Sequence, residues 1–415
     1  MKLNLFAVGF YPPRNLTGAE KSGWIVAKLL AKRGHTLTII TEDFNQHESP
    51  KVHRINIVKV KTKRTLDVNA NDYALAQPRW HYEASGGDIY CNPFISTIRK
   101  EMKGQKPDAI LVNWGVPFTS FILPIAEEAG IPVITILHGS DVHALTQREF
   151  KNVRNAVIRS YKKADARIVV ADYLKGILHR MGVTNVEIIR NAIDGRKFRP
   201  TPHSQAARER ARLQIPKNAT VFIHVSNLRP VKDPLKIVEA AEIALKKTTN
   251  IHFLIVGDGP LRSEMEKMTK EKHINEKFTF TGKVQASGVR KYLSLSQAHV
   301  MSSKAEGTPL VILEAFAAGK PTIASNVGGI PEILRHGYNG LLYEQGDVHE
   351  FAEQMLTITD PETRRTISRG ATQSSREHSI NKLVRRYEDV IRAAINNKKQ
   401  SQTSKNPISE KRDMQ

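Results

Sequence analysis

A short apolar strand, Ala298–Met301, gives way to Ser302-Ser303-Lys304-Ala305-Glu306-Gly307-Thr308-Pro309, and this junction limits what the chain can build. Beyond it, Leu310, Val311, Leu313 and Phe316 recur with helical period, and Gly319 marks the helix end. Thr308 is expected to cap this helix and Pro309 to take its first position, where the missing proline N–H costs nothing. A strand that runs into a helix N-terminus presents unpaired N–H groups and a positive dipole end, which suits a phosphate. Two acids bracket the seat: Glu306 before the helix and Glu314, eight residues on, inside it. Taken alone, the same pattern also fits a buried strand–helix–strand unit with two incidental acids.

In chain order the strand–helix alternation occurs twice. Leu3–Val8 is a strand, Tyr11–Thr17 a loop, and Gly18 opens a helix whose Ile25, Val26, Leu29 and Leu30 share a face before Gly34 ends it. Thr36–Thr41 completes a βαβ unit with a glycine at the first strand-to-helix turn, where ligands approach a parallel sheet. Gly18 either admits a ligand close to the backbone or is simply a small residue at a helix start. Residues 51–64 hold six Lys or Arg and no acid among alternating apolar residues, which reads as a strand with a solvated basic face. Residues 65–93 read as an irregular loop. Asp108–Val112 and Val133–Leu137 are strands, the second leading to His138-Gly139-Ser140-Asp141; Arg148–Lys163 is a basic helix and Ala166–Val170 a further strand.

Proline, histidine and polar residues from Pro200 to Gln205 place a domain boundary near residue 200. The second half restarts with Val221–Val225, Phe253–Val256 and Phe278–Gly282. Each feeds a loop of interest: Ser226–Lys232 with the cations Arg229 and Lys232, Gly257-Asp258-Gly259-Pro260, and Lys283-Val284. A Gly-x-Gly after a strand is equally a tight turn. Asp233-Pro234 is expected to cap and start the next helix. Ser379–Asn396 reads as an amphipathic helix, and Lys398–Gln415, polar and without period, as disordered. The expected organisation is α/β, with strand–helix alternating domains over 1–199 and 200–378, a helix over 379–396 and a basic tail over 397–415.

A chain of 415 residues suits two such domains. No apolar run reaches the roughly 18 residues of a membrane span. The segment MKLNLFAVGFYPP reads as a first strand and not a signal peptide, because it leads to Tyr11-Pro12-Pro13. The single cysteine, Cys91, excludes an internal disulfide and fits a reducing cytoplasm. With 63 basic and 41 acidic residues the net charge is +22, of which residues 1–200 (30 basic, 18 acidic) carry +12 and the remainder +10. Such a field attracts nucleotides, anionic membrane surfaces, phosphorylated acceptors or nucleic acid without choosing among them. A cytoplasmic protein, able to sit peripherally at the inner face of the cell membrane, is expected.

Glu306-x7-Glu314, with Ala315, Gly319, Pro321, Gly328-Gly329-Ile330-Pro331-Glu332 and Asn339-Gly340-Leu341, resembles the signature of the group 1 (family 4) retaining glycosyltransferases. His138-Gly139-Ser140-Asp141 resembles their His-Gly-x-Asp turn, and Ile188–Asp194 with Phe198-Arg199-Pro200 resembles their interdomain linker. Ser226–Lys232 resembles their donor-phosphate loop, with Asn227 and Asp233 near positions that are usually glycine, and Ala171 stands where they commonly have serine. The resemblance implies a GT-B fold, two Rossmann-like doubly wound domains facing across a cleft with the donor mostly on the second, and the helix over 379–396 crossing back to the first. It implies catalytic roles for Glu306, His138, Arg229 and Lys232. Donor contacts would come from Gly18, Arg229, Lys232, Gly257, Lys283, Val284, Glu306, Gly307, Thr308, Leu310 and Glu314.

The sequence has no Asp-x-Asp pair and no Cys/His cluster with metal-ligand spacing, so no metal or other cofactor is expected and the chain itself supplies the positive charge. The implied reaction is retaining transfer from a nucleoside-diphosphate sugar, a UDP-sugar, to a hydroxyl acceptor. Cell-envelope polysaccharide or glycolipid synthesis with an anionic or lipid-linked acceptor is the expected setting. A small soluble acceptor, as in low-molecular-weight thiol synthesis, fits Ser226–Lys232 and Gly257–Pro260 as well. Competing readings are a nucleotide-sugar epimerase or phosphorylase, an inactive ligand-binding relative, and a basic nucleic-acid-binding protein. No nucleic-acid partner is expected, since no RNA- or DNA-binding signature is evident.

Overall fold

The computed structural model describes residues 2–9, 18–43, 51–61, 86–116, 118–148, 151–198 and 203–405. In chain order these form β1 (Asn4–Gly9), α1 (Gly18–Lys32), β2 (Thr36–Glu42), β3 (Ile55–Val60), α2 (Gly86–Gly104), β4 (Ala109–Asn113), α3 (Phe118–Ala129), β5 (Val133–Leu137), α4 (Ser140–His143), α5 (Lys151–Lys163), β6 (Ala166–Val169), α6 (Asp172–Arg180) and β7 (Val186–Ile188). There follow α7 (His203–Arg212), β8 (Thr220–Val225), α8 (Leu235–Leu245), β9 (Ile251–Val256), α9 (Arg262–Glu271), β10 (Phe278–Gly282), α10 (Ala286–Leu295), β11 (Ala298–Met301), α11 (Leu310–Ala317), β12 (Thr322–Ser325), β13 (Gly340–Tyr343), α12 (Val348–Thr359), α13 (Pro361–Glu377) and α14 (Ile380–Lys405).

The chain divides into two compact units, Met1–Arg190 with Ile380–Gln415, and Asn191–Ser379. Each is built on an open parallel sheet, ordered β3-β2-β1-β4-β5-β6-β7 in the first and β10-β9-β8-β11-β12-β13 in the second. Counted from its own first strand, the second sheet reads 3-2-1-4-5-6, the doubly wound order, and the first has the same order with a seventh strand added at the end. Helices on both faces of such a sheet demand strands that are apolar throughout. β4 (AILVN), β5 (VITIL) and β9 (IHFLIV) are buried at every position. The order reverses between β1 and β4 in one unit, and between β8 and β11 in the other. Ligands of open α/β sheets bind at the carboxyl ends of strands beside that reversal.

Several expectations shift. The second unit begins at Asn191 and not at 200, because Asn191 and Ile193 are already bonded within it. Asn191 Nδ2 donates to the Thr308 carbonyl at 2.8 Å, and the Ile193 amide to the His378 carbonyl at 3.2 Å. Of the segment read as an irregular loop, residues 65–85 lie outside the described ones, and 86–93 open α2 with Pro93 inside it. Phe94 and Ile98, one helical turn apart and fully buried, anchor that helix against the breaker signal of the proline. The last helix passes Asn396 and reaches Lys405. Its final turns are held by polar tethers, Lys398 Nζ to Asp165 at 3.2 Å and Gln402 Nε2 to the Gly130 carbonyl at 3.0 Å, which leave no apolar period to read. Residues 406–415 lie outside the described ones. No helix among the described residues is long and apolar enough to cross a membrane.

Helix α14 is fastened to the first unit by Glu388. Its carboxylate takes Arg33 Nη2 and His35 Nε2, each at 2.8 Å, while His35 Nδ1 accepts the Leu3 amide at 3.2 Å. Burial alone would raise the Glu388 pKa, but the hydrogen bonds from Arg33 and His35 outweigh it and hold the group below its ordinary value. Glu388→Gln is expected to destabilise the protein by about 1–2 kcal/mol at neutral pH, at the low end for charged hydrogen bonds because Arg33 is half exposed. A lowered folded pKa means the contribution is present above the unfolded carboxylate's pKa and is lost as pH falls through the folded one. The gap in melting temperature between parent and variant should therefore close on acidification; a gap independent of pH contradicts this fastening.

Candidate active site

In the second unit, the loops after β8 and β11 leave adjacent strands at the order reversal and meet. Lys232 Nζ lies 2.5 Å from Glu306 Oε1, and Ser303 Oγ donates to the same oxygen at 2.7 Å. The pair is neutral as a whole, so neither half-buried charge stands alone. Behind it, Ser325 Oγ donates to the Ser303 carbonyl at 2.6 Å, and the Gly329 amide to the Glu306 carbonyl at 3.1 Å. Arg229 is half-buried at the start of the tight turn Pro230–Lys232. Glu314 is buried inside α11, and Gly307 is half-buried beside Glu306.

The helix start differs from expectation. Pro309 is the N-cap, with φ −69° and ψ 116°, α11 begins at Leu310, and no side chain caps it. Thr308 is buried and gives its carbonyl to Asn191, so it fixes the approach to the helix instead of capping it. The leading amides are those of Leu310 and Val311, since the Ile312 amide already turns back to the Pro309 carbonyl at 3.2 Å. Leu310 buries its side chain in the core and can offer a ligand only its backbone. Asp233 is likewise no cap: it closes the preceding turn in the left-handed region, φ 46°, and α8 starts at Leu235 after Pro234.

The left-handed residue near the start of the loop is Leu228, φ 40°, and not Asn227. Its side chain is wholly buried in the core, and that burial fixes the backbone at a cost of ~1–2 kcal/mol. The Gly257–Gly259 turn presses on this loop. A Cβ on Gly257 would fall 1.8 Å from the Ser226 carbonyl oxygen, and one on Gly259 1.9 Å from that of Asn227. The close approach accounts for both glycines. Lys283 is exposed after β10, and Val284 is half-buried against the core.

Sequence reasoning passed over His224, Ser226, Ser302 and Ser303. Ser303 had a weak signal, its spacing of three residues before Glu306; the others look like ordinary strand-end residues. His224 Nδ1 lies 2.9 Å from the Val300 carbonyl and Nε2 2.8 Å from Ser226 Oγ. Burial pushes its pKa down to about 4.

The first unit carries its own polar group at the carboxyl ends of β4 and β5. His138 Nε2 lies 2.7 Å from Asn113 Oδ1, while its Nδ1 is buried without a partner among the described residues. An amide oxygen only accepts, so Nε2 carries the proton and Nδ1 is left as a lone pair. Burial lowers the His138 pKa to about 4, which keeps the ring neutral at pH 7. Asp141 shapes the turn, its carboxylate taking the amides of His138, Gly139 and Gly115 at 3.0, 2.9 and 3.1 Å. Burial raises Asp141 to about 6 against the pull of those amides. Gly139, φ 127°, meets the backbone demand of the turn. Gly18 is the exposed first residue of α1, with open space at its Cα. Among the described residues no three His, Cys, Asp or Glu side chains gather to hold a metal ion.

Two doubly wound sheets, with cations and acids at the second reversal point, define the architecture of the GT-B glycosyltransferases. Comparison with known proteins agrees. The profile of glycosyl transferases group 1 matches residues 205–374, and that of glycosyltransferase family 4 matches residues 16–196. N-acetyl-α-D-glucosaminyl L-malate synthase of Bacillus anthracis is 29% identical over 96% of this chain and 100% of its own length. An α-1,3-galactosyltransferase of Escherichia coli, named for UDP-Gal and a diphosphoundecaprenol-linked sugar, is 29% identical over 44% of this chain and 48% of its own. Among solved structures, Anabaena HepE in complex with UDP and glucose superposes with a TM-score of 0.75 at 18% identity, covering 94% of this chain and 100% of that one. WaaG, a glycosyltransferase involved in lipopolysaccharide biosynthesis, gives 0.71 at 13% identity, covering 93% and 99%. The chain belongs to the group 1 glycosyltransferases.

Proposed function

We propose that this enzyme transfers a sugar from a UDP-sugar to a hydroxyl acceptor with retention of configuration and without a metal ion. The contact of Lys232 with Glu306 carries the reading, because it sets a cation and an anion side by side where a sugar–diphosphate bond needs both. The acceptor oxygen bonds to the anomeric carbon as the bond from that carbon to the phosphate oxygen breaks, the electron pair leaves with the diphosphate, and the departing phosphate oxygen takes the proton of the acceptor hydroxyl. Lys232, Arg229 and the leading amides of α11 stabilise the departing charge. Glu306 faces the carbon where positive charge develops, and Glu314 takes the ribose hydroxyls. His138 offers its Nδ1 lone pair to a substrate hydroxyl.

A small hydroxy-acid acceptor is favoured by one observation: the relative named for a malate product matches over its whole length, whereas the galactosyltransferase matches over about half. Incubated with UDP-N-acetylglucosamine and L-malate, the purified protein is expected to release UDP only when the hydroxy acid is present, to give an α-linked product, and to keep its rate in EDTA. Turnover with a lipid-linked acceptor but none with malate would move the acceptor to the envelope class and leave the donor chemistry intact. Complete loss of turnover in EDTA, or isomerisation of the donor without an acceptor, contradicts the proposal. So does steeply salt-dependent oligonucleotide binding with no affinity for any nucleotide sugar.

A further inference from the structure

We infer that Ser302, Ser226 and His224 are positioning residues for Arg229 and Lys232, holding a glycine-free loop in a shape that glycine would otherwise provide; this rests on the reading that those two cations hold the donor diphosphate. From Ser226 to Pro234 the loop contains no glycine, yet it enters the left-handed region at Leu228 and again at Asp233. Residues with a Cβ stay there only where their surroundings leave no alternative.

Two sets of buried groups remove the alternatives. At the first turn the Val300 carbonyl can only accept, so His224 Nδ1 carries the proton and its Nε2 is bare. Ser226 must then donate its hydroxyl proton to Nε2, which leaves an Oγ lone pair for the Leu228 amide at 3.0 Å. Every proton in this relay has one consistent place, and it ends on the backbone N–H of the left-handed residue. At the second turn Ser302 Oγ, buried at the end of β11, lies 2.8 Å from the Asp233 carbonyl and 3.1 Å from that of Lys232. The Lys304 amide adds a bond to the Val231 carbonyl at 2.9 Å. The two cations therefore sit between one pin from β8 and one from β11, and the pin at Lys232 precedes the reach of its ammonium to Glu306. None of the three positioning groups belongs to α11.

Calorimetric titration with UDP and, separately, with uridine tests this, because only UDP reports on the diphosphate seat. Ser302→Ala and Ser226→Ala should each weaken UDP binding by about tenfold, the equivalent of one lost hydrogen bond, with uridine binding as in the parent. Asp233→Gly added to Ser302→Ala should restore UDP affinity to within about threefold of the parent, since glycine needs no pin to stay left-handed. Parent-like UDP affinity in both serine variants, with Lys232→Ala still weakened, would overturn the inference and leave the diphosphate reading standing. So would a double variant that fails to recover. Parent-like affinity in Lys232→Ala as well would defeat the diphosphate reading itself. If Ser302→Ala does not fold, as thermal denaturation will show, Ser226→Ala and the double variant decide.

Discussion

Replacing Lys232 with alanine is expected to lower turnover by about 10²–10³-fold, the effect of removing one preorganised charge donor from a transition state. The diphosphate gains negative charge as it departs, so the ammonium matters more there than in the bound donor, and kcat should fall more than KM rises. The loss has a second source of the same sign. Without Lys232, Glu306 loses the ammonium that meets its Oε1 beside the Ser303 hydroxyl, and more of its negative charge then faces the leaving anion. Lys232→Arg should recover only part of the rate, because a broad planar guanidinium cannot replace a compact point charge 2.5 Å from a carboxylate. Steady-state kinetics of Lys232→Ala and Arg229→Ala check this; unchanged turnover in both rejects the assigned role.

The largest stability effect is expected at Gly257. An alanine there meets the Ser226 carbonyl oxygen at 1.8 Å and must adopt φ 132°, so the backbone has to move. Overpacking and a disallowed dihedral together should cost about 3 kcal/mol or more. The same substitution at Gly18, where nothing lies within 4 Å of the added carbon, should change stability by no more than about 0.5 kcal/mol. Because the Gly257 turn props the loop that carries Arg229 and Lys232, the folded fraction of Gly257→Ala should also turn over more slowly. Thermal denaturation of the two variants checks the contrast, and equal melting temperatures contradict it.

The alternation of strands and helices was legible because both faces of a parallel sheet are covered, so strands such as β5 and β9 appear as near-continuous apolar runs, interrupted by Thr135 and His252, between turn residues. The acids, cations and glycines of the site stood at strand ends for the same reason. Their meeting was not legible. Lys232 and Glu306 are 74 residues apart, and only the order β8-β11 in the sheet makes their loops neighbours. The identity of the left-handed residue was hidden too. Asparagine is the common occupant of that region, but burial of the Leu228 side chain assigns it one position later. Pro93 reads as a breaker until Phe94 and Ile98 are seen buried, and the end of α14 is fixed by Lys398 and Gln402, whose contacts leave no periodic trace.

A crystal structure with UDP bound measures the central claim directly. Oxygens of the terminal phosphate are expected at charge-assisted hydrogen-bond distance, about 2.7–2.9 Å, from Lys232 Nζ, with Arg229 and the amides of Leu310 and Val311 on the same diphosphate. A diphosphate held elsewhere, with Lys232 still closed on Glu306 alone, would contradict it.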